Sequence, residues 1–259
     1  NDLQQVALYI NKGSDNTFNE GDYILFYGEG PDKWSFDSTR NIFRHTKHQF
    51  SDYNYYFITD NEGAQNIIQE ANNGSNSSNN ISITTFDDYS FIEHNDVNLI
   101  NSGAEWYGDL ISNGSKKTFS FNFTNIVSLS KAYVYYDLVS NASTEATFTL
   151  KYGNDTKTFV VTAPFSSETV GNKKTGGYYI DITNSAINIS VGYTNSASSE
   201  GRGFINYLGI NVIRELTFDG SQLKFRTKES ANNPVLKYFI KNGTSNTLVW
   251  DVTDAKKPK

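Results

Sequence analysis

From Thr118 onward the side chains alternate, with Phe119, Phe121 and Phe123 on one side of an extended chain and Ser120 and Asn122 on the other. A period of two marks a half-buried β-strand, because successive Cβ atoms of a strand leave opposite faces. The pattern returns at Phe148 and Leu150, at Phe159 and Val161, at Tyr178, Ile180 and Ile182, and at Ile187, Ile189 and Val191. The denser runs 132–136 and 205–213 read as central strands with both faces partly covered. Many short strands separated by Gly, Asn and Ser turns predict a β-sandwich of jelly-roll type.

The first hundred residues carry the same signature less regularly. Runs 6–10 and 23–27 predict a hairpin with a long loop through Gly13, Ser14, Asp15 and Asn16, and 53–59 predicts a further strand. Residues 72–80 are Asn, Ser and Gly only, which predicts an exposed loop with nothing to bury. Ala64, Ile67, Ile68 and Ala71 share one helical face, so 62–71 is the one stretch that predicts a helical turn or two. Further strands are expected at 223–225, 236–240 and 248–252, and 255–259 reads as a charged linker into a continuing polypeptide. The chain is therefore expected to be all-β: a small N-terminal module over 1–98, a β-sandwich over 99–216, and strands over 217–259 leading toward a downstream domain. The Gly-containing stretch 98–115 is the expected boundary.

Composition supports the same class. Aromatics are 15% of the chain against 37% hydrophobic residues in all, and flat or branched side chains suit pleated surfaces. Charged residues are only 19%, with Asn, Ser and Thr where a helical bundle would place Lys and Glu. The net charge of -6 and the lack of a basic stripe exclude nucleic acid as an expected partner. No run reaches the roughly 20 apolar residues of a membrane-spanning helix. Asn-x-Ser/Thr triplets are frequent, but two of them, at Asn122 and Asn188, lie in expected strands, and they are read as composition.

The absence of cysteine removes disulfides, thiol nucleophiles and thiolate metal sites together. Of the three histidines, His45 and His48 form a His-x-x-His pair without the Glu of a metalloprotease, and are read as loop residues. His94, between Glu93 and Asp96, reads as a surface histidine able to titrate near neutrality. No cofactor is expected, with calcium the one candidate ion. Asp15, Asn19 and Asp22, with Gly21 for a sharp turn, present side-chain oxygens at the close intervals that a calcium loop uses. The same residue types also build turns by bonding their own backbone. Trp34, Trp106, Tyr107 and Trp250 are candidate structural or interface aromatics, with packing the leading reading and a sugar-stacking platform the alternative. Trp106 and Tyr107 are expected to fix the junction between module and sandwich.

Four blocks carry a family resemblance. NEGDYILFYGEGPDKWSFD at 19–37, HQFSDYNYYFITD at 48–60, SGAEWYGDLI at 102–111 and LVWDVTDAKKP at 248–258 stand in order along the chain. They resemble segments of the PorU family, the gingipain-like cysteine peptidases that act as sortases of the type IX secretion system in Bacteroidetes. Ala104, Asp109 and Ala255 depart from that pattern, standing where the family has Arg, Glu and Pro.

The resemblance implies a non-catalytic region ahead of the catalytic domain, whose Cys and His would lie beyond Lys259, so no catalytic residue is carried onto this chain. It further implies an exported protein at the outer-membrane surface, a cysteine peptidase or transpeptidase in full length. Such a protein removes the sorting signal of secreted cargo and joins that cargo to lipopolysaccharide. The implied partners are its own catalytic domain, a PorV-like outer-membrane barrel and secreted cargo. An independent carbohydrate-binding jelly roll, or an adhesin domain, is the competing expectation from the residues alone.

Overall fold

The computed structural model describes residues 3–15, 17–60, 63–70, 81–99, 103, 105–163, 171–196, 201–233 and 235–259. The chain divides into two compact units, one of Asn1–Lys33, Thr46–Asn80 and Gly243–Lys259, the other of Trp34–His45 and Ile81–Asn242. In the first unit, β1 (Leu8–Asn11) and β2 (Tyr23–Phe26) form the expected antiparallel hairpin, with Leu8 opposite Phe26 and Asn11 opposite Tyr23. β3 (Lys33–Asp37) and β4 (Ile42–Thr46) form a second hairpin, almost all of it in the second unit.

The second unit continues through β5 (Ile81–Ile83), β6 (Thr85–Ile92), β7 (Gly108–Ser112), β8 (Ser115–Asn122), β9 (Lys131–Ser140) and β10 (Ala146–Tyr152). It is completed by β11 (Asp155–Val161), β12 (Asn172–Asp181), β13 (Ala186–Asn195), β14 (Arg202–Glu215) and β15 (Leu236–Tyr238). A four-stranded antiparallel sheet in the order β11-β10-β13-β8 faces a five-stranded one, β12-β9-β14-β6 with β7 also on β14. From β8 onward the chain passes repeatedly from one sheet to the other, the connectivity of a jelly-roll-like sandwich.

The alternating residues fill the space between the sheets. Phe119, Phe121, Phe148, Leu150, Ile187, Ile189 and Val191 come from the smaller sheet, and Val134, Tyr136, Leu138, Ile180, Leu208 and Ile210 from the larger, all buried in one cluster. The two expected central strands, β9 and β14, lie in the interior of the larger sheet. A register shift between Ile205 and Tyr207 leaves Asn206 as an extra residue on β14 opposite β9. Such a bulge re-aims the side chain it inserts.

Three expectations of local structure differ. Residues 63–70 carry no helix, and Ile67 instead bridges Leu8 in parallel, with Ile68 N donating to Leu8 O at 2.9 Å. A backbone partner at hand outweighs the weak helical pattern around Gly63 and Asn66. The ends of that stretch, Glu62 and Ala71, and the loop expected at 72–80 lie outside the described residues. Residues 53–59, 223–225 and 248–252 form no strands. Strand identity requires a ladder partner, and these runs tie down through side chains or turns instead. The strand expected at 236–240 shortens to β15, which pairs in parallel with β5.

Candidate functional site

The outer face of the five-stranded sheet carries the densest polar and aromatic grouping in the second unit. The β3–β4 hairpin lies on it, fastened by Asn211 of β14, whose side chain accepts from Phe43 N at 2.7 Å and donates to Phe43 O at 2.9 Å. Asn211 thereby gives the hairpin the hydrogen bonds a neighbouring strand would give. Two residues on, His45 is buried, with Nδ1 2.8 Å from the Tyr135 hydroxyl and Nε2 2.7 Å from Glu93 Oε2. The imidazole stacks on Phe91 with centroids 3.9 Å apart, meets Tyr207 edge-on at 5.1 Å and lies 5.7 Å from Trp34. Gly209 makes this possible, since a Cβ there would sit 2.0 Å from the Tyr135 ring.

Arg44 donates to the Tyr207 hydroxyl at 2.9 Å. Burial drives the hydroxyls of Tyr135 and Tyr207 upward from the ordinary tyrosine value. Beside them Asp137 is buried; Asn206 donates to its Oδ2 at 2.9 Å, and its Oδ1 has no hydrogen-bond partner among the described residues. Burial raises its carboxyl above the usual range, against the lowering effect of Asn206. The cluster is closed, with His45 and Tyr135 both almost fully shielded from solvent, so its chemistry is adhesion of the hairpin to the sheet.

The block SGAEWYGDLI forms a second corner on the same unit. Tyr107 packs on Val139 and Phe204 and donates its hydroxyl to Glu105 Oε2 at 2.8 Å, while Lys173 pairs with Glu105 Oε1. Those two hydrogen bonds, Lys173 first, hold the Glu105 carboxyl below its usual value, and burial raises the Tyr107 hydroxyl. Gly108 is required by close approach, because a Cβ would lie 2.5 Å from His94. Asp109, at φ 47, binds both His94 Nδ1 at 2.7 Å and Lys117 Nζ at 2.6 Å. Trp106, between these residues, leaves 44% of its surface exposed, against 6% for Tyr107.

The remaining candidate residues fall in the first unit, except Trp34. Asp15 Oδ1 accepts from Thr17 N at 2.9 Å and its Oδ2 from Asn19 Nδ2 at 3.0 Å, while Asp22 Oδ2 accepts from Asn19 N at 2.7 Å. The loop thus brings Asp15, Asn19 and Asp22 together through turn hydrogen bonds. Among the described residues no three His, Cys, Asp or Glu side chains gather as a metal site. His48 accepts from Phe50 N and Ser51 N through Nδ1, so His45 and His48 serve unrelated ends. Trp250 lies 6.2 Å from Tyr9, and Tyr56 fastens the Glu29 backbone, its hydroxyl accepting from Glu29 N at 2.7 Å. The burial of His45 had one faint sequence signal, its two-residue spacing from Phe43.

No family model matches the chain, and no curated protein matches it. Among solved structures, the dimeric latent PorU of Porphyromonas gingivalis superposes on 99% of the chain with a TM-score of 0.81 at 18% identity. The chain has a PorU-like fold from end to end. It spans 24% of the length of that PorU chain. The described residues of the chain form strands and a single 3-10 turn, and with no cysteine among its 259 residues the chain supplies no thiol nucleophile of its own. The CBM36-1 domain of a multidomain xylanase from the hindgut metagenome of Trinervitermes trinervoides overlaps 52% of the chain, all of that domain, at 16% identity and a TM-score of 0.29. A CBM36 module solved with calcium and xylotriose overlaps 48% of the chain and 98% of the module, at 13% identity and 0.30. At those scores nothing passes from either module to this chain.

Proposed function

We propose that this chain is the non-catalytic β region preceding the catalytic domain of a gingipain-like cysteine peptidase, the sortase of a type IX secretion system. Its work is positional: a rigid sandwich and a smaller unit hold the catalytic domain, and through it cargo and a PorV-like barrel, at the outer-membrane surface. The observation that carries this reading is the superposition of 99% of the chain on a quarter of PorU. The four sequence blocks and the lack of cysteine agree with it, and the buried networks of the second unit are built for rigidity rather than turnover.

The test is to read and express the gene past codon 259. The full-length protein is expected to carry a downstream Cys and His and to cleave a substrate ending in a sorting signal, while residues 1–259 alone do not. A stop codon after Lys259, or cleavage by the chain alone, overturns the proposal.

A further inference from the structure

The first unit has almost no core. Among its described residues only two apolar side chains are buried, Ala7, 2% exposed, and Pro258. Yet the unit is rich in large apolar groups. Tyr23, Ile24, Leu25 and Phe26 of β2 are all exposed, without the in-and-out alternation of a half-buried strand. In the second stretch Phe50, Tyr53, Tyr55, Phe57 and Ile58 are between 70% and 91% exposed. Exposed apolar residues scattered singly are ordinary, but a concentration of this kind marks a surface that is covered in the working protein.

The backbone points the same way. β2 pairs with β1 on one edge and with no other strand among the described residues. It carries none of the Lys, Glu or Pro that blunt an open edge against pairing. The only charge within residues 23–26 and 50–58 is Asp52, which Lys47 pairs at 3.8 Å, so the face suits a neutral apolar partner over a charged one. Residues Gly243–Lys259 belong to this same unit: Ala7 N donates to Lys256 O at 2.9 Å, and Asp251 and Lys259 exchange backbone bonds at 2.9 and 3.1 Å.

We propose that β2 and residues 50–58 are the docking face for the polypeptide that follows residue 259, which adds a β-strand of apolar side chains to the open edge of β2 and covers Phe50 to Ile58. This rests on the reading of the chain as a piece of a longer PorU-like protein, of which it spans 24%. In that protein the following segment starts within the unit that bears the face. Tethering gives it an effective concentration that a separate molecule reaches only in the millimolar range, which favours it over a second copy.

The test uses the full-length protein with p-benzoylphenylalanine, itself a large apolar ring, in place of Phe57, which is 75% exposed within residues 1–259. Illumination is expected to join position 57 to a peptide beyond residue 259 of the same chain. A product of dimer mass, a cross-link to another protein, or none overturns the proposal. As a second reading, Phe57→Asp in the full-length protein is expected to speed amide exchange of the β2 segment and of the docked strand by about ten-fold. Unchanged exchange counts against the docking. A gene that ends at residue 259 would instead remove the function proposed above, so the two failures are distinct.

Discussion

Replacing His45 tests the hairpin clamp directly. His45→Ala removes the ring that joins Tyr135 and Glu93 at 2.8 and 2.7 Å and leaves two buried polar groups without a partner. Each such orphan costs about 1–3 kcal/mol, and the lost stack on Phe91, 3.9 Å away, adds about 0.5–1.5 kcal/mol. The expected destabilisation is about 3–5 kcal/mol, allowing for partial relaxation. His45→Phe keeps the ring volume and the stack, and should lose only the polar part, about 2–4 kcal/mol. Urea unfolding followed by tryptophan emission suits the measurement, because Trp34 lies 5.7 Å from His45 and reports on the hairpin itself. In a double-mutant cycle, His45→Phe and Glu93→Gln should couple by more than about 0.5 kcal/mol. Strict additivity, or a cost of His45→Ala below about 1 kcal/mol, would refute the clamp.

Asp137 offers a pH test. Its carboxyl is raised by burial, so between the ordinary value of 3.8 and its folded value the folded protein keeps a proton that the unfolded chain has released. Stability from this group is therefore lost as pH rises through that window and stays reduced at neutrality. Asp137→Asn should flatten that part of the pH profile and raise the melting temperature at pH 7; an unchanged profile would refute the assignment. Tyr107→Ala should cost about 3–5 kcal/mol in chemical denaturation, and Trp106→Ala clearly less because that ring is 44% exposed, an order that a reversal would contradict. Calcium titration followed by melting temperature decides the Asp15, Asn19 and Asp22 loop. With both carboxylates already accepting turn hydrogen bonds, no shift is expected, and a saturable rise would establish an ion site.

The strands of the sandwich were legible because the period-two pattern is a local property. Phe119 and Phe121, or Ile187 and Ile189, face the core wherever their strand pairs, since pleating alone puts them on one side. Glycine at 209 and 108 was visible too, but not its reason, which is the approach of Tyr135 and His94 from distant parts of the chain. The apolar run 53–59 has strand composition and forms no strand, because a ladder needs a neighbour and composition does not name one.

The sequence by itself determined the all-β class, the inner faces of β8, β10, β11, β12 and β13, and the lack of thiol chemistry. Each follows from residue type and spacing along a few residues. Tertiary structure alone decided that His45 is a buried clamp rather than a loop histidine, since Asn211 holds the hairpin from 168 residues away. It alone decided that the first unit keeps its apolar side chains in the open. Burial is a property of what comes to lie against a surface, and the chain's own order does not encode which distant segment, if any, supplies it.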